Sequence, residues 1–149
     1  MRLLIYGIGN PGRQDDGLGI FFTEKIEEWA KEKNLTNVKV DSNYQLSAED
    51  SLEISEYDIV IFADASKEEI QDIYFREIKG DRNETFTTHS MRPETIVALA
   101  KELYNRQPES YIMSIKGYEW EVNEKMTGKA AQNLDKALEE VKKFISEKL

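Results

Sequence analysis

Leu3-Leu4-Ile5-Tyr6-Gly7-Ile8-Gly9-Asn10-Pro11-Gly12-Arg13-Gln14-Asp15-Asp16-Gly17-Leu18-Gly19 is the stretch that sets the fold. Leu3 to Tyr6 is a short apolar run stopping at Gly7, the pattern of a buried strand. Gly7 to Gly19 is a loop rich in glycine and acid. From Leu18 the apolar residues recur at Phe21, Phe22, Ile26, Trp29 and Ala30, a spacing that predicts a helix with one buried stripe. Asp15 or Asp16 is expected to cap that helix, where a carboxylate also suits the positive end of the dipole. Asn34 is expected to close it.

The rest of the chain continues the alternation. Val38 to Val40 reads as a second strand, with Asp41 at its carboxyl end. Ser47-Ala48-Glu49-Asp50 can cap a short helix through Leu52 and Ile54. Asp58-Ile59-Val60-Ile61-Phe62-Ala63 is apolar without alternation, as in a strand covered on both faces. Asp72 to Ile78 alternates like an edge strand, Gly80 to Asn83 reads as a turn, and Phe86 to Thr88 as a short strand leading to His89. Pro93 starts a helix through Ile96, Val97, Leu99, Ala100 and Leu103. Tyr111 to Ile115 is a further strand. Leu134, Ala137, Leu138, Val141, Phe144 and Ile145 mark a last amphipathic helix, whose Glu/Lys face is expected to be solvated. Tyr104, Tyr111 and Trp120 are read as core. The expected fold is one α/β domain over residues 1–149: a three-layer α/β/α sandwich, phosphorylase/hydrolase-like, with a mostly parallel, mixed sheet of about five strands.

Composition narrows the chemistry. The 149 residues include 40% hydrophobic and 33% charged side chains, enough for one solvated core. The formal net charge of −9 disfavours nucleic acid and anionic membrane as partners and suits a basic protein or a cation. The absence of cysteine rules out disulfides, thiolate metal sites and a cysteine nucleophile. No signal peptide and no membrane-length apolar run is seen, so a cytoplasmic protein, acting as a monomer, is expected. There is no G-x-S-x-G elbow for a serine triad, and nothing selects a glycosidase carboxylate pair.

Gly7-Ile8-Gly9-Asn10-Pro11-Gly12 matches G-x-G-x-x-G, so one reading is a nucleotide-binding module, with Asp41 on a ribose. That reading needs a helix opening directly under the glycines. Here Arg13-Gln14-Asp15-Asp16 intervene, and two carboxylates repel a diphosphate. A purely structural turn explains the glycines, but not the paired acids at the sheet's carboxyl edge. The third reading is a resemblance. Gly7-Ile8-Gly9-Asn10 followed by Asp15-Asp16-Gly17-Leu18-Gly19 resembles the N-terminal motif of [NiFe]-hydrogenase maturation endopeptidases (peptidase family M52-like). Gly9-Asn10-Pro11-Gly12 is also similar to peptidyl-tRNA hydrolase, but the Thr-Arg-His-Asn stretch of that family is missing.

The resemblance extends further. Asp64 follows an apolar strand in Ala63-Asp64-Ala65, and His89, the only histidine, precedes an apolar helix, as in the peptidases. It implies Asp16, Asp64 and His89 as metal ligands and Asp16 and Asp64 as catalytic groups. Two carboxylates and an imidazole form a partial shell for a borderline divalent cation, with positions left open. The family's activity implies removal of a C-terminal peptide from a hydrogenase large-subunit precursor. The nickel is carried by that precursor, and another divalent cation could take its place in crystals. Gly117-Tyr118-Glu119-Trp120 and the final helix are similar to the family's ending. Tyr44-Gln45-Leu46 with Glu49-Asp50 is similar to the subgroup serving soluble NAD-linked hydrogenases. Ser42-Asn43-Tyr44-Gln45 departs from the usual glycine-rich loop, and Thr87-Thr88-His89 from Ser-Pro-His. A non-cleaving member that chaperones a metal or subunit stays open beside the nucleotide-binding alternative.

Overall fold

The computed structural model describes residues 1–81 and 91–149. Strands β1 (Leu3–Ile8), β2 (Val38–Asn43), β3 (Ile59–Ser66), β4 (Ile73–Ile78) and β5 (Glu109–Lys116) form one five-stranded sheet in the order β2-β1-β3-β5-β4. β1, β2, β3 and β5 run parallel, and β4 lies antiparallel on β5 at one edge. Helices α1 (Leu18–Glu32), α2 (Asp50–Ser55), α3 (Pro93–Tyr104) and α4 (Gly128–Lys148) cover the two faces.

Strand side chains alternate between faces, so each strand feeds two cores. Leu3, Ile5, Ile59, Ile61, Met113 and Ile115 pack with Leu18, Phe22 and Ile26 of α1 and Leu134, Leu138, Val141 and Ile145 of α4. Leu4, Tyr6, Val60, Phe62 and Ile112 pack with Ile54 of α2 and Ile96, Val97 and Ala100 of α3. Burial on both faces is why β3 reads as an unbroken apolar run. β4 alternates because it is the edge: Phe75 stacks on Tyr111 at 5.4 Å and meets the edge of Phe144, while Tyr74 is exposed.

The caps follow the sequence in part. Pro93 occupies the first turn of α3. Asn34 takes a left-handed φ of 57° after α1; its N–H bonds the Lys31 carbonyl and that of Leu35 bonds Ala30, a Schellman closure. The Asp50 carboxylate reaches back to the Ser47 N–H at 2.7 Å, as the Ser-x-x-Asp spacing suggests. Other expectations are corrected. Neither Asp15 nor Asp16 caps α1; Gly17 holds that position without a side-chain bond, because both carboxylates are engaged elsewhere. β1 runs past Gly7 to Ile8, and β2 past Asp41 to Asn43, since their ladder pairing continues. Asp64 lies within β3, not after it. Tyr104 is exposed, at the open end of α3, whereas Tyr111 is packed. The strand expected at Phe86 to Thr88 and the second half of the turn at Gly80 to Asn83 lie outside the described residues.

The first turn of α1 lies directly on the sheet. A Cβ on Gly7 would sit 2.6 Å from Thr23 Cγ2 and overlap the Gly19 carbonyl; one on Gly19 would sit 2.5 Å from the Ile8 carbonyl oxygen. These obstacles are mostly backbone, which cannot turn aside as a flexible side chain can. Gly19→Ala is therefore expected to lower stability by about 2–3 kcal/mol, read as a lower urea midpoint with unchanged m-value. A midpoint equal to the parent's refutes this close approach.

Candidate active site

β1 and β3 pair so that Ile8 lies opposite Asp64. Where β1 ends, Gly9 turns the chain with φ +141°, and a Cβ there would overlap the Asp16 carbonyl, so only glycine fits. A 3-10 turn over Gln14–Gly17 then brings Asp16 back beside the strand ends. Asp16 and Asp64 line one cavity of about 360 Å³, with Tyr44, Gln45 and Leu46 from the loop after β2 and Met91 and Arg92 ahead of α3. A bridge between Leu46 and Met91 joins those two loops. The cavity sits at the carboxyl ends of the parallel strands, where α/β sheets bind ligands.

The two acids differ in their support. Asp16 Oδ2 accepts the Asn10 N–H at 2.9 Å. Asp64 is partly buried, and burial pushes its carboxyl up to about 7; the Asp16 charge pushes the same way, and the Ala65 N–H pulls weakly against both. Arg92, a cation lining the cavity, is paired with Glu94 at 3.1 Å. A shared pocket in which one carboxylate resists ionising beside another is favourable ground for a cation.

Asp15 faces the opposite way. It has no solvent exposure. Oδ2 accepts the N–H groups of Tyr118 and Glu119 at 2.7 and 3.1 Å and the Thr127 hydroxyl at 2.8 Å, and Oδ1 accepts the Thr127 N–H at 2.9 Å. Thr127 in turn caps α4. Gln14, in a left-handed conformation at φ 49°, adds bonds from its amide to the Lys125 carbonyl and from the Glu121 N–H to its Oε1. The pair of acids thus divides: Asp15 ties down the 117–127 loop, and Asp16 faces the cavity.

Every backbone N–H from Gly9 to Asp16 is already bonded within the protein, Pro11 having none. Gly9 donates to Asn43, Asn10 to Asp16, Gly12 to the Asn10 side chain, Gln14 to Asn123 and Asp15 to Glu119. The glycine loop therefore offers no spare donors to a pyrophosphate, and Asp16 stands where the phosphate would lie.

His89 lies outside the described residues. Among the described residues no three His, Cys, Asp or Glu side chains gather as a metal-holding group. Asp16 and Asp64 fit a divalent cation as a partial, all-oxygen donor set that needs further ligands. Sequence reading did not single out Gln14, Arg92 or the anchoring role of Asp15. Pro93 at the start of α3 was the signal that could have placed Arg92 at this edge; a left-handed glutamine carries no such signal.

Asp15→Ala is expected to cost at least about 3 kcal/mol in urea denaturation, because it strands several buried donors. For Asp64 the sign follows from its raised value. The native state holds that proton more tightly than the unfolded chain, so its ionisation opposes folding progressively as pH rises from the ordinary carboxylate value of 3.8 to about 7. Asp64→Asn removes the ionisation. In metal-free buffer the variant should match the parent near about pH 4 and exceed it by about 1–3 kcal/mol near about pH 8. A stability difference that does not change with pH refutes the assignment.

No family model matches the chain, and no curated protein does. Solved structures do. The hydrogenase maturating endopeptidase HybD from E. coli superposes with a TM-score of 0.77 at 17% identity, over 99% of this chain and 93% of that one. The [NiFe] hydrogenase maturation protease HycI from Thermococcus kodakarensis KOD1 superposes at 0.72 with 20% identity, over 94% and 89%. A hydrogenase 2 maturation peptidase from Thaumarchaeota archaeon SCGC_AB-539-E09 gives 0.68 at 14%, over 98% and 99%. Across nearly its whole length, the chain has the α/β fold of these hydrogenase maturation peptidases.

Proposed function

We propose that the protein is a [NiFe]-hydrogenase maturation endopeptidase that removes a C-terminal peptide from the nickel-loaded large-subunit precursor. One observation carries this reading: Asp16 and Asp64, from two separate elements, line a single cavity at the carboxyl edge of the sheet, and Asp64 is held toward its neutral form there. The shared fold of named maturation peptidases supports it. The amide accounting of the Gly7–Gly12 loop speaks against the nucleotide-binding alternative.

The nickel is part of the substrate, already seated in the precursor. Asp16 and Asp64, with His89, would grip it and so place the scissile bond in the cavity, where the cation polarises the neighbouring carbonyl. Water adds to the carbonyl carbon; its proton passes to a carboxylate, with Asp16 and Asp64 the candidate bases. The C–N bond breaks and the amine leaves with a proton. Tyr44, Gln45, Met91 and Arg92 border the space where the client chain would lie.

The test is cleavage of a nickel-loaded precursor, followed by mass spectrometry. Asp16→Asn and Asp64→Asn are each expected to slow cleavage by about 100-fold or more while keeping the parental circular dichroism, and nickel-free precursor should stay intact. Cleavage by both variants at the parent rate would sink the assignment.

A further inference from the structure

A second cleft, of about 510 Å³, opens from the other side of Asp64. It shares the lining residues Asp64, Arg92 and Pro93 with the cavity described above, so the two adjoin. A chain whose scissile bond lies beside Asp64 would have this cleft as its neighbour.

The charges in this cleft are only partly paired. Arg92 and Glu94 compensate each other at 3.1 Å. Arg76 and Lys67 have no carboxylate within ion-pair distance among the described residues. Arg76 is half-buried on β4, donates to the Ser114 hydroxyl at 3.3 Å and lies 4.8 Å from the Tyr74 ring centroid. Its planar fork is oriented by a neutral hydroxyl and a ring face. Lys67 sits 4.8 Å over Trp120. What sets Arg76 apart is its place: a guanidinium partly withdrawn from water in a cleft beside Asp64, with a hydroxyl and a ring face but no carboxylate as its partners among the described residues. A guanidinium partly withdrawn from water favours a carboxylate, which it can bind with two parallel N–H bonds. The exposed Glu68, and Asp64 where the cleft meets the cavity, are the remaining acids in its lining. Elsewhere the acidic surface repels an anionic client, so a local cationic pair sets the register of the bound chain.

We propose that this cleft is a subsite for a carboxylate on the client chain beside the bond to be cut, with Arg76 and Lys67 as specificity-determining residues. The proposal rests on the peptidase reading, but its test does not need cleavage. Three short capped peptides are titrated into isotope-labelled protein and followed by NMR. One carries a glutamate and an amidated end, one is all-alanine with a free C-terminal carboxylate, and one is all-alanine and amidated. At least one anionic peptide should shift the amides of Lys67, Arg76 and Ser114 and bind about tenfold more tightly than the neutral one. Preference for the glutamate peptide identifies a side-chain carboxylate, and preference for the free acid identifies a chain end. Arg76→Glu and Lys67→Glu should abolish the preference, and Arg76→Lys should keep part of it. Should Arg76→Glu fail to fold, Lys67→Glu, at an exposed position, decides. Equal binding of all three peptides, no shift from any of them, or an undiminished preference in a folded charge-reversed variant overturns the subsite. Loss of precursor cleavage with retained anionic-peptide binding counts against the peptidase reading alone.

Discussion

The Asp15 carboxylate joins the first loop of the chain to its last, and the site depends on that join. An ionisable group with no solvent exposure is tolerable only when its lone pairs are met, and here Tyr118, Glu119 and Thr127 supply the donors. Those bonds fix the 3-10 turn in orientation. In a 3-10 turn successive side chains leave about 120° apart, so drawing Asp15 toward the 117–127 loop turns Asp16 away from it. Asp16 therefore reaches the cavity because its neighbour is committed to the interior. The same carboxylate holds the hydroxyl that caps α4, so the longest helix and the site share one anchor.

The second constraint is backbone contact. Gly7 and Gly19 let the first turn of α1 rest on β1 and β3 with no side chain between them. This sets the height of the loop above the strand ends, and parallel pairing of Ile8 with Asp64 sets the lateral position. Together they hold Asp64 withdrawn from water beside the Asp16 carboxylate, and burial first, then that neighbouring charge, raises its proton affinity. Nothing in packing requires an acid there: the face that Asp64 shares with Val60 and Phe62 is otherwise apolar up to that point. An acid kept at such a position costs stability, which marks it as a candidate functional group.

Much of this architecture was legible in the sequence. The apolar runs at Leu3 and Ile59, the helical spacing from Leu18 and from Leu134, and Pro93 all report burial and backbone geometry, which local patterns encode. Asp16 and Asp64 were singled out together through family resemblance, Asp64 also by its place at the carboxyl end of an apolar run, and the structure sets both on one cavity. Periodicity does not say where a side chain's hydrogen bonds go. Asp15 looked like a helix cap because capping is the local use of an acid before a helix; its actual partners lie more than a hundred residues on, at Tyr118 and Thr127. The end of β1 was misjudged for a related reason. Glycine is unfavourable in isolated strands, but here the strand continues through Gly7 because only glycine admits α1. Arg76 gave no signal at all, since whether an arginine has an acidic partner is settled in three dimensions.

The glycine loop shows how the same string of residues can serve ligands of opposite charge. In a dinucleotide fold, G-x-G-x-x-G leaves helix N–H groups free and pointed outward, and the ligand is an anion. Here the extra residues Arg13 to Asp16 fold back over the loop, and its N–H groups are spent on Asn43, Asp16, Asn123 and Glu119. The donors turn inward, and what faces the cavity is carboxylate oxygen. The two carboxylates favour a cation, or a positively charged centre carried by a partner, over phosphate at their end of the cavity. Loop length between the last glycine and the helix, rather than the glycine spacing itself, decides whether N–H groups or carboxylates face the cavity.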